Sequence, residues 1–498
     1  MSFRALIVSA VLLVGGSRPV QLEASALGSC DPAVQTCAAL DADTLCLATT
    51  DSTGRRPWVA AAEVAGLNAG LLAFDRYVIR GGYAYVTMKT IRRNVEMTHW
   101  WWDVDKFRTN MMGHPYHGNL YFNAARSCGM NFWTSALFTT GGSLLWELAG
   151  ENELPSVNDQ LATSLGGVAI GEVTHRLSSM MLDESQTGAR RVLTEVAGAV
   201  VNPFRAFNRL LTGEAWRVRP GGGGGRADFP FEGSVSVGAR RVAGKGQRHG
   251  ALTAAYAALN LEYGDATEQG HCKPYDYFRA GMTLTAARGQ NVVNDVSIAG
   301  RLLQLPLKET ERMEAALGLY QHFGYYHADT LSSGMLPYKL SEAVGLGPGL
   351  TMRLRQLLPS VDFRQAFFAN VVPLGGAADD HPGPSSWRDY SFGSGFNMKS
   401  SSRLTIGTIG RFWLDVEDHH LYTWLGYDGM ESHNRTYAQG HRGHKEVLMV
   451  RSAAEVNMRS GWGLRLAASY FYRNNRYAVL PNRKAHAWEW RAGVMWRL

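Results

Sequence analysis

The sequence predicts an α+β membrane protein: an antiparallel transmembrane β-barrel of about twelve strands, preceded by a helical domain that plugs or caps it. Three observations carry this expectation. The chain ends on strict alternation, with Trp488, Trp490, Ala492, Val494, Trp496 and Leu498 on one face of a strand and Glu489, Arg491, Gly493, Met495 and Arg497 on the other. Aromatic side chains opposite charged ones suit a wall with lipid outside and a polar interior. The same period of two recurs through the second half of the chain, whereas the first half follows a helical period. Between the halves lies a run of five glycines, residues 221–225, which cannot hold a regular element.

Taken in chain order, residues 1–26 read as a secretory signal peptide. Arg4 precedes an apolar run, and Ala24-Ser25-Ala26 offers small residues for cleavage. The apolar run is too short to cross a bilayer. Residues 27–74 form a mature N-terminal segment with no defined structure in this reading. Cys30, Cys37 and Cys46 fall there, and one disulfide among them suits an oxidising compartment. Cys128 lies in an apolar segment and is expected to be buried. No cysteine spacing suggests zinc.

Residues 75–219 make the helical domain. Residues 129–146 carry no charge until Glu147 yet contain Asn131, Thr134, Ser135, Thr139 and Ser143, so this helix is expected to be buried against or inside the barrel. A second helix is expected over about residues 158–182, capped by Ser156 with Asp159 in its first turn. Gly166, Gly167 and Gly171 allow it to pack closely. A third spans about residues 190–211, interrupted at Pro203. Trp100, Trp101 and Trp102 crowd together just before these helices, as an interfacial anchor or a core contact.

After the seam at 220–225, residues 226–498 make the barrel. Strands are read at Phe278 to Ala286, Val296 to Leu302, around Leu404 to Val416, Leu448 to Met458 and Trp462 to Tyr472. They are about ten residues or longer, the length a tilted strand needs to cross a bilayer. A tight turn at Ser460-Gly461 contrasts with long polar stretches at 375–387, 428–445 and 474–484, as expected for the two rims of a barrel. Arg491, Gly493, Trp496 and Leu498 resemble the closing-strand signal of bacterial outer-membrane β-barrels. That resemblance implies an outer-membrane location, with the barrel-assembly machinery and outer-membrane lipid as partners.

Residues 110–217 resemble the bacterial family called domain of unknown function 3943. The match rests on His114-Pro115-Tyr116-His117-Gly118-Asn119, Tyr121, Asn123 to Ser127, Trp146-Glu147, Glu151, Pro155 to Asp159, Gly171-Glu172 and Arg176-Leu177-Ser178. It implies no activity, so the chemistry has to come from the residues. Asn123, Arg126, Glu147, Glu151, Asn158, Asp159, Glu172 and Arg176 sit amid apolar helices. Burying them unpaired would be costly, so they are expected to form a network with each other or with inward barrel charges such as Glu455 and Arg465. In the simplest version Glu147 pairs with Arg126. His114 and His117 are expected in a turn, given Pro115 and Gly118. With Glu147 and Glu151 they could ligate a divalent metal, and with Ser127, Ser156 and Asp159 they could support hydrolysis. No H-E-x-x-H or G-x-S-x-G motif supports either, and no cofactor is expected.

The net charge of +7 over 498 residues is dispersed, which excludes a nucleic-acid stripe. A mean hydropathy of -0.17 excludes a polytopic helical membrane protein. The function these readings imply is a channel or carrier for a small or amphipathic solute. A lipid-active hydrolase and a structural barrel without transport are the alternatives, and an enzyme is the less expected outcome.

Overall fold

The computed structural model describes residues 54–97, 100–218, 230–244, 251–267, 273–307, 309–328, 331, 336–355, 360–381, 389–426 and 438–498. The signal peptide, Cys30, Cys37, Cys46, Cys272 and the glycine seam lie outside these residues. Twelve described strands close a single antiparallel sheet: β1 Phe231–Gly244, β2 Leu252–Tyr263, β3 Phe278–Ala286, β4 Val293–Pro306, β5 Met313–His327, β6 Lys339–Arg355, β7 Val361–Ala378, β8 Tyr390–Ile406, β9 Gly410–Thr423, β10 Gly443–Asn457, β11 Trp462–Tyr477 and β12 Arg483–Arg497. The final strand pairs with the first from Ser234↔Arg497 to Gly244↔Ala487. Closure removes the free edges that a bilayer would not tolerate.

Alternation sorts the side chains as the sequence predicts. On β12, Trp488, Trp490, Val494 and Trp496 are exposed on the outer wall, while Glu489 and Met495 are buried inside. The inner charges find partners on other strands, not on the helices. Glu489 accepts from Arg240 at 2.9 Å and from Tyr338 at 2.6 Å. Arg491 pairs with Asp295 across the lumen at 2.6 Å, and Arg465 pairs with Glu455 on the neighbouring strand. Arg403 reaches Glu262, and Arg279 approaches Asp415 at 3.8 Å. Charged side chains therefore cross the lumen from wall to wall. The cavity left among them is about 220 Å³.

The rims are uneven. Residues 407–409 and 458–461 connect strands tightly on the side of the chain's C-terminus, while residues 379–389 and 424–442 make longer connections on the opposite side. The three expected loops are shorter than read: β7 continues to Ala378, where Gly375 still pairs with Gly393, β10 begins at Gly443 and β11 continues to Tyr477.

The helical region begins earlier than residue 75. Helix α1, Pro57–Phe74, occupies the segment read as undefined, and α2 spans Met88–Glu96. Helix α3, His114–Ser127, overturns the expected turn: Pro115 sits in its first turn, where a missing N–H costs nothing. The remaining helices fall where the periodicity places them: α4 Phe132–Ala149, α5 Val157–Leu161, α6 Gly167–Met181, α7 Gly188–Val201 and α8 Pro203–Leu211. Asn131 and Ser156 cap α4 and α5. Helices α3 and α6 cross in near backbone contact. A Cβ on Gly118 would lie 1.8 Å from the Thr163 carbonyl oxygen, and one on Gly167 would lie 2.5 Å from the Gly118 Cα.

The helices do not plug the barrel; they pack against its outer wall. On β5, His322 and Tyr326 point into the lumen, where Tyr326 donates to Glu417. The alternate residues face outward. Leu317 and Leu319 of that set are exposed, but Phe323, Tyr325 and His327 are buried. Phe107 covers Tyr325 and His327, with ring centroids 5.6 and 5.2 Å away. Gln321 donates to the Leu165 carbonyl at 2.9 Å. On β8 the outward Phe396 and Met398 are exposed, whereas Phe392 meets Trp102 at 5.4 Å and Tyr390 meets Phe107 at 5.2 Å. One apolar core therefore runs from Phe122, Phe132 and Ile170 into the outer faces of β3 to β8.

Two outcomes are expected. Glu489→Leu strands the Arg240 guanidinium in the lumen, so about 3 kcal/mol or more of barrel stability should be lost, read as a lower temperature for the heat-induced gel shift. Gly118→Ala should separate α3 from α6. Proteolysis would then cut the helical domain while the barrel keeps its heat-modifiable migration.

Candidate functional site

Two polar assemblies occupy the helical domain, and they differ in kind. The first is fully satisfied. Glu172 accepts from Arg126 through both oxygens, at 2.8 and 2.9 Å, and from Arg176 at 2.9 Å. Arg176 continues to the Pro274 carbonyl at 2.7 Å and to Asp276 at 3.2 Å. These two barrel residues lie in the connection between β2 and β3. The network thus ties the helices to the outside of the barrel and not to its lumen, where Glu455 and Arg465 pair with each other. Asn123 belongs to a neighbouring set, donating to Asn119 at 2.8 Å and Thr174 at 3.0 Å and accepting from Asn202 at 2.6 Å.

The second assembly lines a cavity of about 690 Å³ between the ends of α3, α4 and α5 and the segment before α3. This lies within the range of small-molecule sites. Its carboxyls are Asp75, Asp103, Asp105, Glu151, Glu153 and Asp159, and its rings include Tyr83, Trp101, Trp102, Tyr116 and Trp146, with no Lys or Arg among the lining residues. The elements that set this up are short-range. Trp101 donates to the Pro155 carbonyl at 2.9 Å and accepts from the Val157 N–H at 2.8 Å, which pins the aromatic segment to the start of α5. Asn158 accepts from the Asp103 N–H at 2.8 Å. The Tyr390 hydroxyl of the barrel lies 2.7 Å from the Asp105 carbonyl and 2.8 Å from the Asn110 amide oxygen, and the Asn110 amide nitrogen donates to Asp103 and Asp159 at 3.2 Å.

Several expected pairings do not form. Glu147 accepts from the Ser156 N–H at 2.7 Å and lies apart from Arg126. His114 approaches Asp159 at 3.2 Å, and Ser156 donates to the other Asp159 oxygen. The carboxylate therefore sits between serine and histidine, so no imidazole is placed to take the Ser156 proton. Ser127 ends α3, about 20 Å along the helix from His114. His117 packs against Tyr121 and Trp146 at ring distances of 4.5 and 5.4 Å, and its Nε2 is buried with no hydrogen-bond partner. Among the described residues no group of three or more His, Cys, Asp or Glu side chains is arranged to hold a metal, so His114, His117, Glu147 and Glu151 do not form the expected alternative site. Cys128 is a buried free thiol.

Asp103, Asp105 and Glu153 were not legible as site residues. The signal was the pair of aspartates two apart directly after the tryptophans. Burial, and then the nearby Asp103 carboxylate, hold the Asp105 carboxyl up at about 6. Burial also raises Glu151, followed by the charge of Asp159, and Glu153, followed by that of Asp103.

Residues 99–204 match the family model described as Domain of unknown function (DUF3943). No curated protein sequence matches the chain. Among solved structures, the NanC porin is 11% identical, covering 53% of this chain and 100% of that one at a TM-score of 0.27. The toluene transporter TodX of Pseudomonas putida is 9% identical over 54% of this chain and 88% of that one, at 0.20. The outer membrane channel DcaP of Acinetobacter baumannii is 8% identical over 54% and 97%, at 0.22.

Because the raised carboxyls favour the protonated form in the folded state, they stabilise the fold below the ordinary carboxylate range. That contribution is lost as pH rises through about 6. Resistance of the helical domain to proteolysis should therefore fall between about pH 4 and about pH 7, and Asp105→Asn should flatten that fall. An unchanged profile in the variant would remove Asp105 from the effect.

Proposed function

We propose that the protein is an outer-membrane carrier for an amphipathic solute bearing a basic group. The solute sits in the cavity of the helical domain, and the lumen serves as scaffold. The observation that carries this reading is the cavity itself: about 690 Å³ lined by six carboxyls and three tryptophans, against about 220 Å³ in the charge-crossed lumen. Carboxylates attract an ammonium group, and aromatic faces add about 0.5–2 kcal/mol through the ring quadrupole. Leu71, Leu120 and Leu154 extend the lining with apolar surface suited to an alkyl chain. An outer-membrane location is supported by the lipid-suited outer wall of the barrel and by the secretory features of residues 1–26. Hydrolysis finds no support in the geometry of the expected residues, since Ser156 meets the Asp159 carboxylate and not an imidazole, and Ser127 lies at the far end of α3 from His114.

The test is direct. A dansyl-labelled alkylamine should bind the purified protein saturably, and a dansyl-labelled fatty acid of equal length should not. Asp105→Asn or Glu151→Gln should each weaken binding about tenfold. The affinity should rise with pH as Asp105 loses its proton. Equal binding of both probes, or of neither, would sink the reading. Stable conductance steps in a planar bilayer would return the transport role to the lumen.

A further inference from the structure

On α1, α4 and α7 the helical domain reverses the polarity of a water-soluble bundle, with polar side chains inside and apolar ones outside. Glu63 of α1 accepts from Asn208 through both oxygens at 2.9 Å, and Asn68 donates to the Gly142 carbonyl at 3.2 Å. On α4, Ser135, Thr139, Ser143 and Glu147 are buried, while Leu137, Leu144 and Leu145 are exposed. On α7, beyond Arg190 in its first turn, the exposed face is Val192, Leu193, Val196 and Val200. A soluble helix would show the opposite arrangement, and apolar faces this extensive call for an occupant.

Helix α1 is the clearest case. Pro57–Ile79 runs 23 residues at a mean hydropathy of 1.3, about 34 Å of helix against a hydrocarbon core of about 30 Å. Trp58, Val59, Phe74, Val78 and Ile79 are exposed along it. Arg55 and Arg56 precede the run, and Asp75, Arg76 and Arg80 fall in and after the π-helical turn Asp75–Ile79 that ends it, charges that gather near the ends of a spanning segment, while Glu63 within it is buried on Asn208.

The position of the bundle names the occupant. The outer wall of β5 passes from exposed Leu317 and Leu319 to Phe323 and Tyr325 beneath the helices with no polar break other than Gln321, which is bonded to Leu165. The exposed helical faces are thus continuous with the barrel's lipid-suited belt. We infer that the helical domain is embedded in the bilayer beside the barrel, with α1 spanning it and the faces of α4 and α7 against lipid acyl chains. This stands independently of what the cavity binds.

Photo-crosslinking in the full chain tests it. The benzophenone side chain p-benzoylphenylalanine replaces Val59, Leu144 or Val196, with the protein reconstituted in vesicles of phosphatidylethanolamine and phosphatidylglycerol. Val371, exposed on the outer face of β7, is the lipid-facing reference, and Arg92, exposed on α2, is the aqueous one. Heat-modifiable migration confirms folding of each variant, and Leu145 or Val200 substitutes for a position that does not fold. Lipid adducts at the helical positions, in yield comparable to Val371 and absent at Arg92, are expected. Their absence while Val371 reacts would overturn the inference. So would adducts to a second copy of the chain, which would make protein the occupant.

Discussion

Closure of β12 onto β1 is the constraint on which the rest of the structure depends. In hydrocarbon an unpaired strand edge leaves backbone N–H and C=O groups without partners, so a spanning sheet must be a ring. Once the ring is closed, strict alternation leaves each side chain only two places to go. Glu489, Arg491 and Arg465 are forced inward, where Arg491 pairs with Glu489 and Asp295, and Arg465 with Glu455. This is why the lumen fills with paired charge, and why the larger cavity lies elsewhere.

The same closure makes the outer wall available. The outward residues of β5 and β8 are mostly apolar, and only part of that wall is left bare. Phe107, Trp102 and Met111 cover the rest. The helical domain is then anchored at two distant points: Arg176 on Asp276 beside β3, and Asp105 and Asn110 on Tyr390 of β8. Between them the cavity is held in a fixed relation to the barrel. Its carboxyls are crowded by burial and by each other, an arrangement that a cation would relieve.

Much of this was legible. The period of two marks strands because successive side chains leave a strand on opposite sides, and the inner and outer faces of β12 follow from the sequence directly. The helices from α4 onward follow from caps and glycines such as Asn131, Ser156 and Gly167, which act over a few residues. Helix α1 was missed because its outward face carries no polar residue, so the amphipathic pattern that announces a soluble helix is missing. The site was half legible. Asp159 and His114 meet, yet Ser127 is at the wrong end of α3 and Glu147 turns to a backbone N–H.

By itself, then, the sequence determined that this chain closes a polar-lined barrel and carries a helical domain with polar residues inside. Those facts rest on local geometry: strand alternation, helix caps and the cost of burying charge. Only the tertiary structure decided where the helices sit. An outward-facing phenylalanine on β5 or β8 has the same pattern whether lipid or another helix covers it, so Phe323 and Leu319 are indistinguishable in sequence. Their difference lies in Phe107, Trp102 and Gln321, whose contacts join segments more than 150 residues apart. Those contacts put the helices on the wall of the barrel and left its lumen to the charges.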